Sequence, residues 1–232
     1  MYWAGIDVGN TRTKYYLIEN GIVHPKIYTF DEMPWEKITK AAIVRTGKIP
    51  PQLDALLQKA PFKVVNVSRN LNLPFKNLYR SPGLGADRIA LVAGAEDLYG
   101  DNVLVIDAGS CITYDYLDKE KNYRGGAISP GIRMRYKALS SFTADLPHLD
   151  VPHKTPPLTG NDTQGAIHSG VVNGTLHEIE GFIRAYNRQY PGVKTVLTGG
   201  DASFLSVSLK IKIFAIQKYL LAQGLKKILQ LN

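Results

Sequence analysis

Apolar residues fall into short continuous runs alternating with stretches of helical period. Tyr2 to Ile6, Ala42 to Arg45, Lys63 to Val67, Val103 to Ile106 and Lys194 to Leu197 read as short buried strands. Pro51 to Lys59 reads as a short helix with proline in its first turn. From Ala86 on, Ile89, Val92 and Ala93 form a helical stripe that ends near Gly100. Further along, Ile167, Val171, Val172, Leu176, Ile179, Ile183 and Tyr186 keep the three-four spacing of one amphipathic helix, stopped by Pro191-Gly192. From Gln217 on, apolar and basic residues alternate without a clean period, and helix is expected over strand. Gly125-Gly126 and Pro130-Gly131 read by default as turns, with a ligand lying against the backbone as the alternative, and the proline-rich stretch from Pro147 to Gly160 as a surface loop. Strands alternating with helices indicate an α/β fold.

The chain contains a near-copy of its own start. Aligned at an offset of 100, Ile6 to Leu17 and Ile106 to Leu117 are identical at six of twelve positions. Each copy is an apolar run, then Asp-x-Gly with small polar residues, then a β-rich run, the grammar of a hairpin whose loop carries the polar groups. Asp-x-Gly also occurs in ordinary turns. The recurrence of Asp, Gly, Thr, Tyr and Leu at fixed spacing favours duplication, with half-domains 1–102 and 103–232 meeting at the turn cluster Gly100-Asp101-Asn102.

Composition narrows the chemistry. The single cysteine, Cys111, excludes a disulfide framework, and no Cys/His spacing suits a zinc site, so a cytoplasmic protein whose metals are held by carboxylates is expected. No run reaches membrane-spanning length, and the first residues lack the pattern of a signal peptide. A net charge of +8 suits an anionic partner, but the cations are spread along the chain and no nucleic-acid partner is expected.

The loop Asp7-Val8-Gly9-Asn10-Thr11-Arg12-Thr13-Lys14 offers backbone N–H groups, hydroxyls, an amide and two cations, donors that phosphate oxygens need. Asp7 beside a polyphosphate implies a bridging Mg²⁺. The spacing is neither that of a P-loop nor that of a dinucleotide-binding turn, and a plain polar hairpin would read similarly. Thr198-Gly199-Gly200-Asp201 follows a strand and admits either a flat or charged ligand against the backbone or a turn with Asp201 as helix N-cap. Asp87 opens a helix, where capping alone would explain it. A carboxylate that takes a hydroxyl proton, with the adjacent Arg88 holding an anionic acceptor, is the reading that phosphoryl transfer would give it.

Six motifs in order resemble the type III pantothenate kinase family, of the acetate and sugar kinase, heat-shock ATPase and actin superfamily. They are Asp7-x-Gly-Asn-Thr-x-x-Lys14, Leu84-Gly-Ala-Asp-Arg88, Asp107-Ala-Gly-Ser-x-x-Thr-x-Asp115, Gly125-Gly-x-Ile-x-Pro-Gly131, Gly160-x-Asp-Thr-x-x-Ala-Ile-x-x-Gly170 and Thr198-Gly-Gly-Asp-Ala202. The resemblance implies two duplicated ribonuclease H-like, actin-like ATPase domains with a nucleotide cleft between them. It implies ATP-dependent phosphorylation of pantothenate to 4'-phosphopantothenate, the first step of coenzyme A biosynthesis, by a homodimer. Carried over by motif, it makes Asp87 the proton acceptor, and Gly85, Ala86, Asp87 and Arg88 with Tyr79 and Thr163 the pantothenate site. Residues Asp7 to Lys14 and Ser110 would bind ATP, and Asp107 a monovalent cation, K⁺ or NH₄⁺. The second loop departs from the family pattern, with Ser110-Cys111 where Thr-Ala is common. Other kinases of the superfamily, and a nucleotide-binding regulator without kinase activity, are the rival readings.

Overall fold

The computed structural model describes residues 1–232. In chain order its first elements are β1 (Tyr2–Val8), β2 (Thr13–Glu19), β3 (Ile22–Val23), β4 (Ile38–Arg45), α1 (Pro51–Gln58), β5 (Lys63–Asn66), β6 (Lys76–Asn77) and α2 (Ala86–Tyr99). There follow β7 (Val103–Ala108), β8 (Cys111–Leu117), β9 (Asn122–Pro130), α3 (Ile132–Phe142), α4 (Thr163–His168) and α5 (Gly174–Gln189). The last are β10 (Lys194–Thr198), α6 (Ala202–Ser208), β11 (Ala215–Ile216) and α7 (Leu220–Leu231). By contacts the chain forms two compact units, Met1–Val103 with Asp115–Gly125 and Tyr219–Asn232, and Leu104–Tyr114 with Gly126–Lys218.

The first unit is built on a sheet of order β3-β2-β1-β4-β5, with β1 antiparallel to β2 and parallel to β4. Both faces are covered, which is why its central strands read as continuous apolar runs rather than alternating ones. Tyr16, Ile18, Ala42 and Val44 pack with Ile89, Val92, Leu225 and Ile228 of α2 and α7. On the opposite face Ile6, Val8, Leu17 and Ile43 pack with Met33, Leu53 and Phe62. Helices α2 and α7 meet backbone to backbone. A Cβ on Gly94 would lie 2.3 Å from the Leu220 carbonyl oxygen, and one on Gly224 1.7 Å from that of Ala90. Two lysines near the end of the chain are paired here, because Lys226 and Lys227 lie 2.8 and 3.2 Å from the Asp97 carboxylate.

The other sheet has six strands in the order β11-β10-β7-β8-β9-β6, of which β10, β11 and nearly all of β7 belong to the second unit. The helix expected from Ile167 to Tyr186 is present in three pieces, α4, a π-helical stretch Ser169–Asn173 and α5. Gly125-Gly126, expected as a turn, lies inside β9, with Gly125 at φ +88°. The turn reading fails because the left-handed backbone that glycine permits is accommodated within the strand. No regular structure lies between α3 and α4, as expected for the proline-rich stretch.

Candidate active site

The first unit holds one polar loop and one buried ionic cluster. Pairing of Asp7 with Lys14 and Val8 with Thr13 makes Asp7–Lys14 a hairpin end, closed by the Gly9 N–H donating to the Arg12 carbonyl at 3.2 Å. Asp7 is 6% exposed, and its carboxylate accepts from the Lys14 ammonium at 3.0 Å. Gly9, Asn10, Thr11, Arg12 and Thr13 line an open pocket of about 480 Å³ that also includes Lys48 and Pro50.

Asp87 lies in the first turn of α2. The N-cap is Gly85, which makes no side-chain cap, and the Asp87 carboxylate accepts from the Arg88 main-chain N–H at 2.8 Å. A Cβ on Gly85 would sit 2.5 Å from Asp87 Oδ1, so a glycine there leaves room for the carboxylate. Burial pushes the Asp87 carboxyl above the usual aspartate range. The Arg88 amide pulls it down, and the Asp7 charge pushes it up again.

Arg88 is buried, and Nε and Nη2 each lie 2.8 Å from Oδ1 of Asp115, which is fully buried. The same oxygen accepts from the Tyr123 hydroxyl at 2.5 Å. Burial opposes the Arg88 charge, and the Asp115 carboxylate outweighs it, so the guanidinium holds its proton more tightly than usual. The Tyr79 ring stacks on Tyr123 at 6.1 Å and carries the guanidinium carbon 5.4 Å from its centroid. Gly125 is required beside it, since a Cβ there would come within 2.9 Å of the ring. Tyr79 and Arg88 therefore lie together, with Gly85 and Asp87 beside Arg88 at the start of α2, and Asp115 and Tyr123 join them. Asp115 belonged to the second-loop motif, and nothing in its spacing indicated that it would bind Arg88.

The second unit gathers three glycine motifs at the end of β7. Gly131 donates to the Ser110 carbonyl at 3.1 Å, and a Cβ on it would meet the Gly109 oxygen at 2.3 Å. Gly199, at φ +99°, packs on the same turn, where a Cβ would lie 2.4 Å from the Ala108 oxygen and 2.5 Å from Asp107 Oδ1. Asp201 donates its amide to Ala108 at 3.0 Å. Its side chain makes no helix cap and instead accepts from Arg133 at 2.5 Å. Asp201 keeps the N-cap position of α6 that the turn reading gave it, without a side-chain cap bond. Arg135 holds the neighbouring turn, donating to the Pro130 carbonyl at 2.8 Å and to Glu178 at 2.5 Å. Burial raises the Glu178 carboxyl, but hydrogen bonds from Arg135, Ser129 and Tyr114 outweigh it and leave it below the usual range. Thr163 begins α4, exposed, after Asp162, whose carboxylate accepts from the Gly165 N–H at 2.6 Å. Cys111 is half-buried at the start of β8. No group of three or more His, Cys, Asp or Glu side chains is assembled as a metal cluster. No helix is long and apolar enough to cross a membrane.

Residues 37–185 match the sequence family described as type III pantothenate kinase. A protein of that name from Christiangramia forsetii is 39% identical, with 98% of this chain and 97% of its own covered. Among solved structures, a Campylobacter jejuni protein named as a Baf-family transcriptional activator is 25% identical over 98% of this chain and 97% of its own, with a TM-score of 0.62. The activator of 2-hydroxyisocaproyl-CoA dehydratase from Clostridium difficile, solved with bound ADPNP, shares the fold at 13% identity, covering 98% of this chain and 93% of its own with a TM-score of 0.56.

Proposed function

The chain belongs to the type III pantothenate kinase family, and from that premise we infer that it transfers the γ-phosphoryl group of ATP to the primary hydroxyl of pantothenate, giving 4'-phosphopantothenate and ADP. The observation that carries this reading is the family match over most of the chain, joined by a part-buried carboxylate, Asp87, next to Arg88 in the first turn of α2 and in the same compact unit as the Asp7–Lys14 loop. A proton acceptor beside a phosphate loop is what a phosphotransferase to an alcohol needs.

In this reading Asp87 takes the proton as the hydroxyl oxygen bonds to phosphorus and the bond to the ADP oxygen breaks. Arg88 offers its charge to the pantothenate carboxylate, with Tyr79, Gly85 and Ala86 shaping that site and Thr163 completing it. The Asp7–Lys14 loop and Ser110 hold the nucleotide. A divalent ion, when bound, offsets charge on the phosphates. Asp7, a buried carboxylate at the end of β1 on the edge of the hairpin loop, is the residue that would face Mg²⁺, directly or through water, since this hard cation takes oxygen ligands. Asp107 with the carbonyl groups around it is the proposed seat of K⁺ or NH₄⁺. Duplicated half-domains 1–102 and 103–232, a homodimeric state and a cytoplasmic location belong to the same proposal.

The test is a coupled assay of ADP release with ATP and Mg²⁺. ADP formation that depends on pantothenate is expected, and turnover only with sugars or short carboxylates would overturn the assignment. The name carried by the Campylobacter protein and the net charge of +8 favour a second reading, a nucleotide-binding regulator. Salt-dependent DNA binding without ATP turnover would select it.

A further inference from the structure

We propose that the turn Thr46-Gly47-Lys48 after β4 forms a second wall of the phosphate pocket, and that Lys48 binds phosphate oxygens of the phosphoryl donor. The proposal rests on the kinase reading and adds a residue from outside the hairpin loop. The Val8 carbonyl, at the end of β1, accepts from the Thr46 and Gly47 amides at 2.9 Å each and from the Thr46 hydroxyl at 3.2 Å. A Cβ on Gly47 would lie 2.3 Å from the Gly9 carbonyl oxygen and 3.1 Å from the Asn10 nitrogen. Only glycine allows the turn to lie against the phosphate loop so closely, and the three hydrogen bonds fix the backbone from which Lys48 projects.

The charges around the pocket point to its ligand. Its lining, Gly9 to Thr13 with Lys48 and Pro50, contains two cations and no carboxylate. Lys14 is already paired with Asp7, whereas Arg12 and Lys48 have no ionic partner in the chain. Two unpaired cations over a pocket of about 480 Å³ floored by a glycine-containing loop suit a polyanion, and a nucleotide's phosphates are the polyanion this enzyme must bind. Asp7 and Asp87, the nearby negative charges, act on the reacting end. Cations on the outer wall would offset phosphate charge without competing for those carboxylates.

The experiment uses the full chain with Lys48→Met, Lys48→Arg and Lys59→Met. Lys59, exposed just after α1, controls for loss of the same net charge. Affinity for a non-hydrolysable ATP analogue is measured by calorimetry at low and high ionic strength, and KM for ATP and for pantothenate by ADP release. Lys48→Met is expected to weaken the analogue and raise KM for ATP about tenfold, with pantothenate KM unchanged. Lys48→Arg should keep most of the affinity, and Lys59→Met all of it. Nucleotide affinity of Lys48→Met within about twofold of the parent, equal losses in Lys48→Met and Lys59→Met, or no analogue binding by the parent protein would each overturn the proposal. Failure of the kinase reading is a separate result. The parent would then bind the analogue but release no pantothenate-dependent ADP, and the calorimetric comparison would still decide the role of Lys48.

Discussion

Replacing Asp115 by asparagine tests how the acceptor site is held. Asp115 is fully buried, and one oxygen accepts from Arg88 Nε at 2.8 Å and from the Tyr123 hydroxyl at 2.5 Å, with Arg88 Nη2 also 2.8 Å away as an ion pair. Asparagine keeps the shape and one carbonyl acceptor but removes the charge, leaving a guanidinium with a 5% exposed side chain uncompensated. Breaking such a pair from one side costs about 3–5 kcal/mol, and the retained acceptor argues for the lower end, about 3 kcal/mol. In a chain of 232 residues that corresponds to a melting temperature lower by about 6–12 °C. Urea titration and calorimetry would measure it, and pantothenate KM should rise as Arg88 loses its fixed orientation. Adding Arg88→Met to Asp115→Asn removes the stranded charge and should recover most of the lost stability while leaving the enzyme unable to use pantothenate. A loss below about 1 kcal/mol in the single variant, or no recovery in the double, would refute the reasoning.

Asp87→Asn should lower kcat by about two to four orders of magnitude with nucleotide affinity retained, as read by turnover and calorimetry; near-parental turnover would remove Asp87 from the mechanism. Because the working form of Asp87 is the carboxylate and its folded pKa is raised, activity should be lost as pH falls through a value above the ordinary 3.8. A kcat/KM profile still flat down to that value would contradict the burial argument. Activity in sodium or Tris buffer should rise on adding K⁺ or NH₄⁺, and indifference to both across a broad titration would withdraw the role given to Asp107. Gly224→Ala forces a methyl to within 1.7 Å of the Ala90 carbonyl oxygen. Separating α2 from α7 should cost about 1–3 kcal/mol in urea denaturation, and an unchanged midpoint would mean that the crossing relaxes freely.

What the sequence revealed was local, and what it concealed was the meeting of distant backbones. Both hairpins were legible because apolar runs stop at Asp-x-Gly, and α2 was legible because Ile89, Val92 and Ala93 keep one period. Helix α3 was not, because Ile132 and Tyr136 are the residues of it that bury, too few to mark a stripe among basic neighbours. Strand β9 was hidden by Gly125-Gly126, a pair that reads as a turn unless a ring such as Tyr79 is known to lie against it. Resemblance could carry over Asp87 and Arg88, but the bond from Arg88 to Asp115 joins residues in separate motifs. The part of Thr46–Lys48 depends on how closely Gly47 approaches Gly9, which no pattern of residue types encodes.

The second loop shows how such distances organise a site. Gly131 and Gly199 belong to motifs far apart in the chain, and each alone is explained as a turn. Their positions share one cause, because a Cβ on either would strike the backbone of Ala108 or Gly109. Glycine at both places is therefore a condition for three chain segments to touch around Asp107. Hydrogen bonds from Gly131 to Ser110 and from Asp201 to Ala108 then fix the turn from two sides. Under the proposed function a turn held in this way would need little rearrangement when a polyphosphate arrives, so its fixed backbone dipoles would be effective there. The bonds that hold the turn at Ser110 and Cys111 run through main-chain atoms, so they do not depend on the side chains there.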